Sequence, residues 1–277
     1  MQIVKKLIFA PFFLIFFIIL IYQLNPLFKS YEFIFSLSVN TLINLIIISI
    51  LISLSSFLFI LFASFSPDWK LVVPVGILTS LTPFIFLGPS LAVVLGVGIL
   101  VCLIITYLGL ENSLKSYLNF NPNNILGPSI RHLAGLLIFI ICIAYFLAIN
   151  KVVSEKGFAL PDSLIDAALK FTPQENQSQS SPQLSLPQDQ IELLKKNPDL
   201  LKQSKQIVKD QVQSFIKPYL NFIPPALALL LFLTLQSITS LVNLLIYPLL
   251  WITFYVLEKT GFVKFVTETR EVKKMVI

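Results

Sequence analysis

Long apolar runs alternate with brief polar punctuation from one end of the chain to the other. Leu71–Leu110 and Tyr219–Leu257 contain no Asp, Glu, Lys or Arg, and each exceeds the roughly 20 residues with which an α-helix crosses a hydrocarbon core. The first run, Leu7 to about Leu24, follows Lys5 and Lys6. It resembles a signal peptide without the small-residue cleavage pattern, so it reads as an uncleaved signal anchor, with Pro11 in its first turns where a missing donor costs little. The second run, Ser36 to Phe65, would be about 45 Å long as a helix and should tilt in the bilayer. A polar turn over Ser66–Lys70 follows, with Trp69 at interfacial depth.

Leu71–Leu110 is too long for one crossing, and Gly88 and Pro89 near its middle predict a tight helical hairpin. Pro74 and Pro83 make its first arm irregular, which neighbouring helices in a membrane can accommodate. Glu111–Ile130, rich in asparagine around 119–124, reads as a polar loop, and Leu133–Asn150 as the fifth crossing. A sixth is expected from about Ile223 towards Leu257 as one long helix kinked at Pro248, in preference to a hairpin turning near Ser237–Asn243, where Gly and Pro are lacking.

Between the fifth and sixth runs the composition changes. Residues 151–219 form a charged segment with a Gln, Ser and Pro-rich stretch at 172–187 that lacks the apolar content to bury a core and is expected to be a flexible linker. Pro161–Phe171 and Pro198–Ile216 flank it as short helical patterns. The second is capped by Asn197 and amphipathic through Leu201, Val208, Val212 and Phe215. The expected fold is therefore all-α: a polytopic transmembrane bundle of about six crossings with a partly helical, partly disordered extracytoplasmic loop. Residues 1–150 carry crossings one to five, 151–219 the loop, 220–257 the sixth crossing and 258–277 a cytoplasmic tail.

Composition agrees, at 56% hydrophobic and 12% charged, where a soluble domain has about 25% charged residues. The net charge of +6 comes mostly from basic residues near the ends of the runs, which suits anionic lipid and not nucleic acid, since acidic residues interleave with them. With six crossings, Lys5, Lys6, Lys70, Lys115, Arg131 and the tail lysines fall on one side, and only Lys29 lies in a short loop on the other. Both termini are then cytoplasmic in a plasma membrane. The abundance of Ile, Phe, Leu, Asn and Lys suits an AT-rich bacterial genome.

Few residues could carry chemistry. Gln236, Ser240, Asn243 and Tyr247 recur at i, i+4, i+7 and i+11 on the sixth run, one polar stripe in an apolar span. It reads as interhelical hydrogen bonding or the lining of a pathway. Asn40 and Asn44, one turn apart on the second run, form a candidate buried amide pair placed to meet the sixth helix. Gly88, Ala92 and Gly96, then Gly98, Cys102 and Thr106, and also Ala144 and Ala148, make small-residue rows that favour close helix packing. Leu-Gly-Pro-Ser occurs at 87–90 and again at 126–129, a weak hint of the inverted repeats of transporters. His132, the single histidine, sits at a membrane boundary. Cys102 and Cys142 lie in apolar runs as packing residues. No nucleotide, zinc-protease or hydrolase motif occurs, so no catalytic group, metal or cofactor is expected.

The absence of ionisable groups inside the runs argues against a proton- or sodium-coupled transporter. The leading expectation is a non-enzymatic scaffold or assembly factor. An oligomeric channel or facilitative permease lined by the sixth helix comes second, and a lipid-modifying enzyme third. Its partners would be membrane lipids, a homo-oligomer or other membrane proteins. The orientation is open to a direct check in intact cells: Ser180→Cys should react with an impermeant thiol reagent, and Thr267→Cys only after permeabilisation. The opposite pattern would reverse the topology.

Overall fold

Runs of Ile, Leu, Phe and Val in hydrocarbon have no water to satisfy their peptide groups, so each must bond within itself as a helix. The computed structural model describes residues 6–31, 39–66, 68–116, 121–158 and 217–263, and among them every regular element is helical. These are α1 (Phe9–Lys29), α2 (Val39–Phe65), α3 (Trp69–Ser80), α4 (Pro83–Phe86), α5 (Pro89–Ser116), α6 (Pro122–Lys156), a 3₁₀ turn over Lys217–Phe222, α7 (Ile223–Leu244) and α8 (Ile246–Lys259). Among the described residues six stretches are long and apolar enough to cross a membrane: α1, α2, α3 with α4, α5, α6, and the 3₁₀ turn with α7. The chain is a polytopic membrane protein.

Several boundaries differ from the sequence pattern for identifiable reasons. α1 continues beyond Leu24, through Pro26, to Lys29, because Leu24, Leu27 and Phe28 are all buried and hold the last turn in place. The stretch 111–130 is largely helical rather than a polar loop. Glu111 and Lys115 pair at 2.6 Å one turn apart and extend α5 to Ser116. The Asn121 side chain accepts from the backbone N–H of Asn123 at 3.1 Å, with Pro122 opening α6, so asparagine there is a helix cap. The fifth crossing consequently belongs to a helix of 35 residues. The second Leu-Gly-Pro-Ser, at 126–129, lies inside that helix and not at a helix start, which removes the symmetry with 87–90. Residues 159–216, including the linker and both short helical patterns, lie outside the described residues.

Prolines set the breaks. Pro83 has no N–H for the carbonyl of Thr79, and Thr82 replaces it twice, through its backbone N–H at 3.1 Å and its hydroxyl at 2.8 Å. The third crossing thereby turns between α3 and α4 without leaving that carbonyl bare. Pro248 similarly denies a donor to Leu244, and the helix breaks at Leu245, whose N–H bonds Val242 at 3.0 Å in a tighter turn. The sixth run is thus two helices, and α8, with 14 residues, is shorter than a crossing requires.

The helices thread antiparallel, and ring contacts mark the two ends. Phe65 stacks on Phe9 at 5.5 Å and meets Phe254 at 6.0 Å and Phe262 at 5.8 Å. The first and last described stretches therefore share one end, where Lys6 also bonds Asp68 at 2.7 Å. At the other end Tyr31 meets Phe158 at 5.0 Å. The core runs through α1, α2, α5, α6 and α7, with α2 the most enclosed: 67% of its most apolar stretch is buried, against 33% for the crossing that contains α7.

Close approach at glycine holds the middle of the bundle. A Cβ on Gly96 would lie 2.6 Å from the backbone carbonyl oxygen of Ser80, and one on Gly98 would lie 2.5 Å from the Ile140 side chain. Gly88, by contrast, has open space beside it. Gly96→Ala should destabilise the bundle by about 1–3 kcal/mol, since a backbone carbonyl cannot retreat. Gly98→Ala should cost less because Ile140 can change rotamer, and Gly109→Ala, with nothing nearby, should be neutral or slightly stabilising. Unfolding in mixed detergent micelles would rank the three.

Candidate functional site

The inward face of α7 is a row of every fourth residue: Leu227, Leu231, Leu235, Thr239 and Asn243 are all buried. Four residues advance a helix by slightly more than one turn, so each step of this row rotates by about 40°, and the row winds roughly 160° around α7 from Leu227 to Asn243. This winding divides the polar stripe. At the heights of Gln236 and Ser240 the bundle lies to one side, and both residues are exposed. By Asn243 the contact line has rotated into the stripe, so Asn243 is buried, and Tyr247 beyond the break is half-buried.

Tyr247 lies against bare backbone: a Cβ on Gly127 would lie 3.2 Å from its ring. The Arg131 guanidinium donates to the Tyr247 hydroxyl and sits 5.1 Å from the ring centroid. Arg131 thus ties the α7–α8 junction to α6 at the end of the bundle that carries Lys6, Lys70 and Lys115, where a cation can reach lipid phosphate. His132, next to it, is exposed.

The amide pair on α2 separates in the same way. Asn40 is exposed, and Asn44 is part-buried, accepting from the Gln23 side chain of α1 at 3.3 Å. Its partner is the first helix and not the sixth, because α1 lies alongside α2 as its most extensive neighbour. Sequence reasoning passed over Gln23, although a lone amide in an apolar run is itself a signal.

It also passed over the serines of α2. Ser49, Ser53 and Ser56 recur at i, i+4 and i+7, and with Ser55 they are all buried. Ser56 returns its hydroxyl to the carbonyl of Ile52 at 2.8 Å. Ser49, Ser53 and Ser55, together with Tyr145 of α6 and Thr239 and Asn243 of α7, have buried oxygens without a hydrogen-bond partner among the described residues. α2, α6 and α7 pack pairwise, and each of them brings such groups into the bundle interior. Its groups are hydroxyls and amides only. It can orient and bond neutral polar groups, but it has no carboxylate or imidazole with which to move a proton. Among the described residues no three His, Cys, Asp or Glu side chains gather to hold a metal.

Comparison with protein-family models, with curated proteins and with solved structures returned no match. Among the described residues the chain shows six stretches fit to cross a membrane, buried hydroxyls between them, and a polar pair turned outwards on the last.

Because the Asn243 oxygen has no partner among the described residues, Asn243→Leu should change stability by no more than about 2 kcal/mol in either direction. Asn44→Leu should destabilise by roughly 0.6–2 kcal/mol, because it removes the bond to Gln23. Unfolding titrations of the two variants in one detergent would compare them. A loss well above this range for Asn243→Leu would mean that its amide is bonded in the membrane.

Proposed function

We propose that this protein is a non-enzymatic membrane scaffold or assembly factor whose sixth crossing docks against another membrane-embedded chain. One observation carries the reading: Gln236 and Ser240 are exposed on the least enclosed crossing. A primary amide facing acyl chains has donors and acceptors that lipid cannot satisfy, at several kcal/mol, whereas an adjoining helix can bond them. Nearby hydroxyls do not share the problem. Thr234 and Ser237 bond the carbonyls of Leu230 and Leu233 at 2.8 and 2.7 Å.

In this reading the bundle sits in the plasma membrane with lipids around it. The end shared by the first and last described stretches carries Lys6, Lys70, Lys115 and Arg131, which supports a cytoplasmic location for both termini. Residues 151–219 are then extracytoplasmic and available to outer partners. A second reading, an oligomeric channel or facilitative permease, draws on the same pair, since a ring of copies would turn Gln236 and Ser240 towards a shared axis.

Flux separates the two. Reconstituted in liposomes, the scaffold should leave ion and small-solute permeability at the level of empty vesicles, and Gln236→Leu should not alter it. A photoreactive residue at position 240 should meanwhile cross-link to protein in native membranes. Flux that Gln236→Leu abolishes would replace the scaffold by the channel, and cross-linking to lipid alone would remove both.

A further inference from the structure

The docking edge is more than one amide. Leu229, Leu233, Gln236 and Ser240 follow one another at i, i+4, i+7 and i+11, and all four are exposed. Leu229 also lines a recess of about 410 Å³ between α6 and α7, whose walls include Phe139, Cys142, Phe146, Pro225 and Phe232. An outward ridge and an adjoining apolar recess therefore occupy one side of the protein. Gln236 stands eight residues from the end of α7, about 12 Å along the helix and so within the hydrocarbon.

Resting on the docking reading above, we propose that the occupant of this edge is a second copy of the same chain, related by a twofold axis along the membrane normal. Two copies inserted in the same sense hold every residue at the same depth. An axis passing beside Gln236 thus brings each Gln236 against its own counterpart. The carboxamide is self-complementary, with an N–H₂ donor and a carbonyl acceptor, so two identical amides satisfy each other, as a twofold interface requires. No other group at that depth on the partner needs to be supplied. Ser240 meets its counterpart one turn away. Leu229 of each copy projects beside the other's recess, where its side chain replaces acyl chain as filling. A different membrane protein would need its own polar residue at that one depth, which a second copy has by construction.

The test uses the full chain in native membranes. Leu233→Cys and Ser240→Cys flank the amide on the same ridge, and the native Cys102 and Cys142 are buried, so the parent chain serves as background. Mild oxidation should give a covalent species of twice the chain mass from both variants. Val97→Cys, which is lipid-facing on α5 at 59% exposure, should not give it. Combining Gln236→Leu with Leu233→Cys should lower the linked fraction, and the dimer dissociation constant in detergent should rise roughly 3- to 30-fold. Gln236 is exposed and makes no hydrogen bond among the described residues, so the melting temperature of diluted monomer should stay unchanged, which separates lost pairing from lost folding. Undiminished self-linking in the Gln236→Leu background would overturn the inference. Linking of positions 233 and 240 to a different membrane chain would overturn it while leaving the docking reading in place. Linking from neither position, with a photoreactive residue at 236 labelling acyl chains alone, would overturn both.

Discussion

Inside hydrocarbon a peptide carbonyl must find its donor within the protein, and in this chain the placement of proline is where that demand is met or relaxed. Pro83 is the clearest case. Its missing N–H is replaced at Thr79 by both the backbone and the hydroxyl of Thr82, so the third crossing can turn inside the bundle. Pro122 opens a helix, where its missing N–H would be unsatisfied anyway. Pro248 lies beyond the long crossing, near Arg131 and Tyr247, and there the helix breaks at Leu245. The architecture is a set of helices whose interruptions fall where a hydroxyl, a helix end or the interface supplies what proline withholds.

Within that framework the helices are held by shape. Gly96 lets the carbonyl of Ser80 approach, and Gly98 receives Ile140, so α5 packs closely against its neighbours on two sides. Aromatic contacts around Phe65 close the bundle at one end. Polar groups add direction. Gln23 with Asn44 fixes α1 against α2, and Arg131 with Tyr247 fixes α6 against the break after α7. Each such bond is worth only a kcal/mol or so, but each specifies one register among several apolar alternatives.

The number of crossings and the hairpin break at Gly88 and Pro89 were legible in the chain, because apolar run length and proline chemistry act locally, whereas the single kinked helix expected around Pro248 is two helices that part at Leu245. Asn121 was misread because asparagine favours both loops and helix caps, and only the chain direction after Pro122 distinguishes them. The α2 serines were overlooked because serine is ordinary in membrane helices, although their i, i+4, i+7 spacing was visible. The division of the Gln236–Tyr247 stripe was not legible at all. A helical wheel assumes that neighbours lie along a line parallel to the axis, whereas the contact line on α7 winds from Leu227 to Asn243. Which member of the stripe faces inwards depends on that winding, which is a property of the packed helices and not of one sequence.

The order in which the crossings enter the membrane gives the packing of α7 against α2 and α6 a further meaning. α7 follows residues 159–216 in the chain, so a ribosome delivers it well after α1 to α6 have entered the bilayer. Until it arrives, the surfaces of α2 and α6 that α7 will cover stay open to lipid. The five-crossing intermediate is therefore a distinct species whose packing surface is incomplete. Biogenesis, and not only the finished bundle, is then a stage at which the length of the segment before α7 matters.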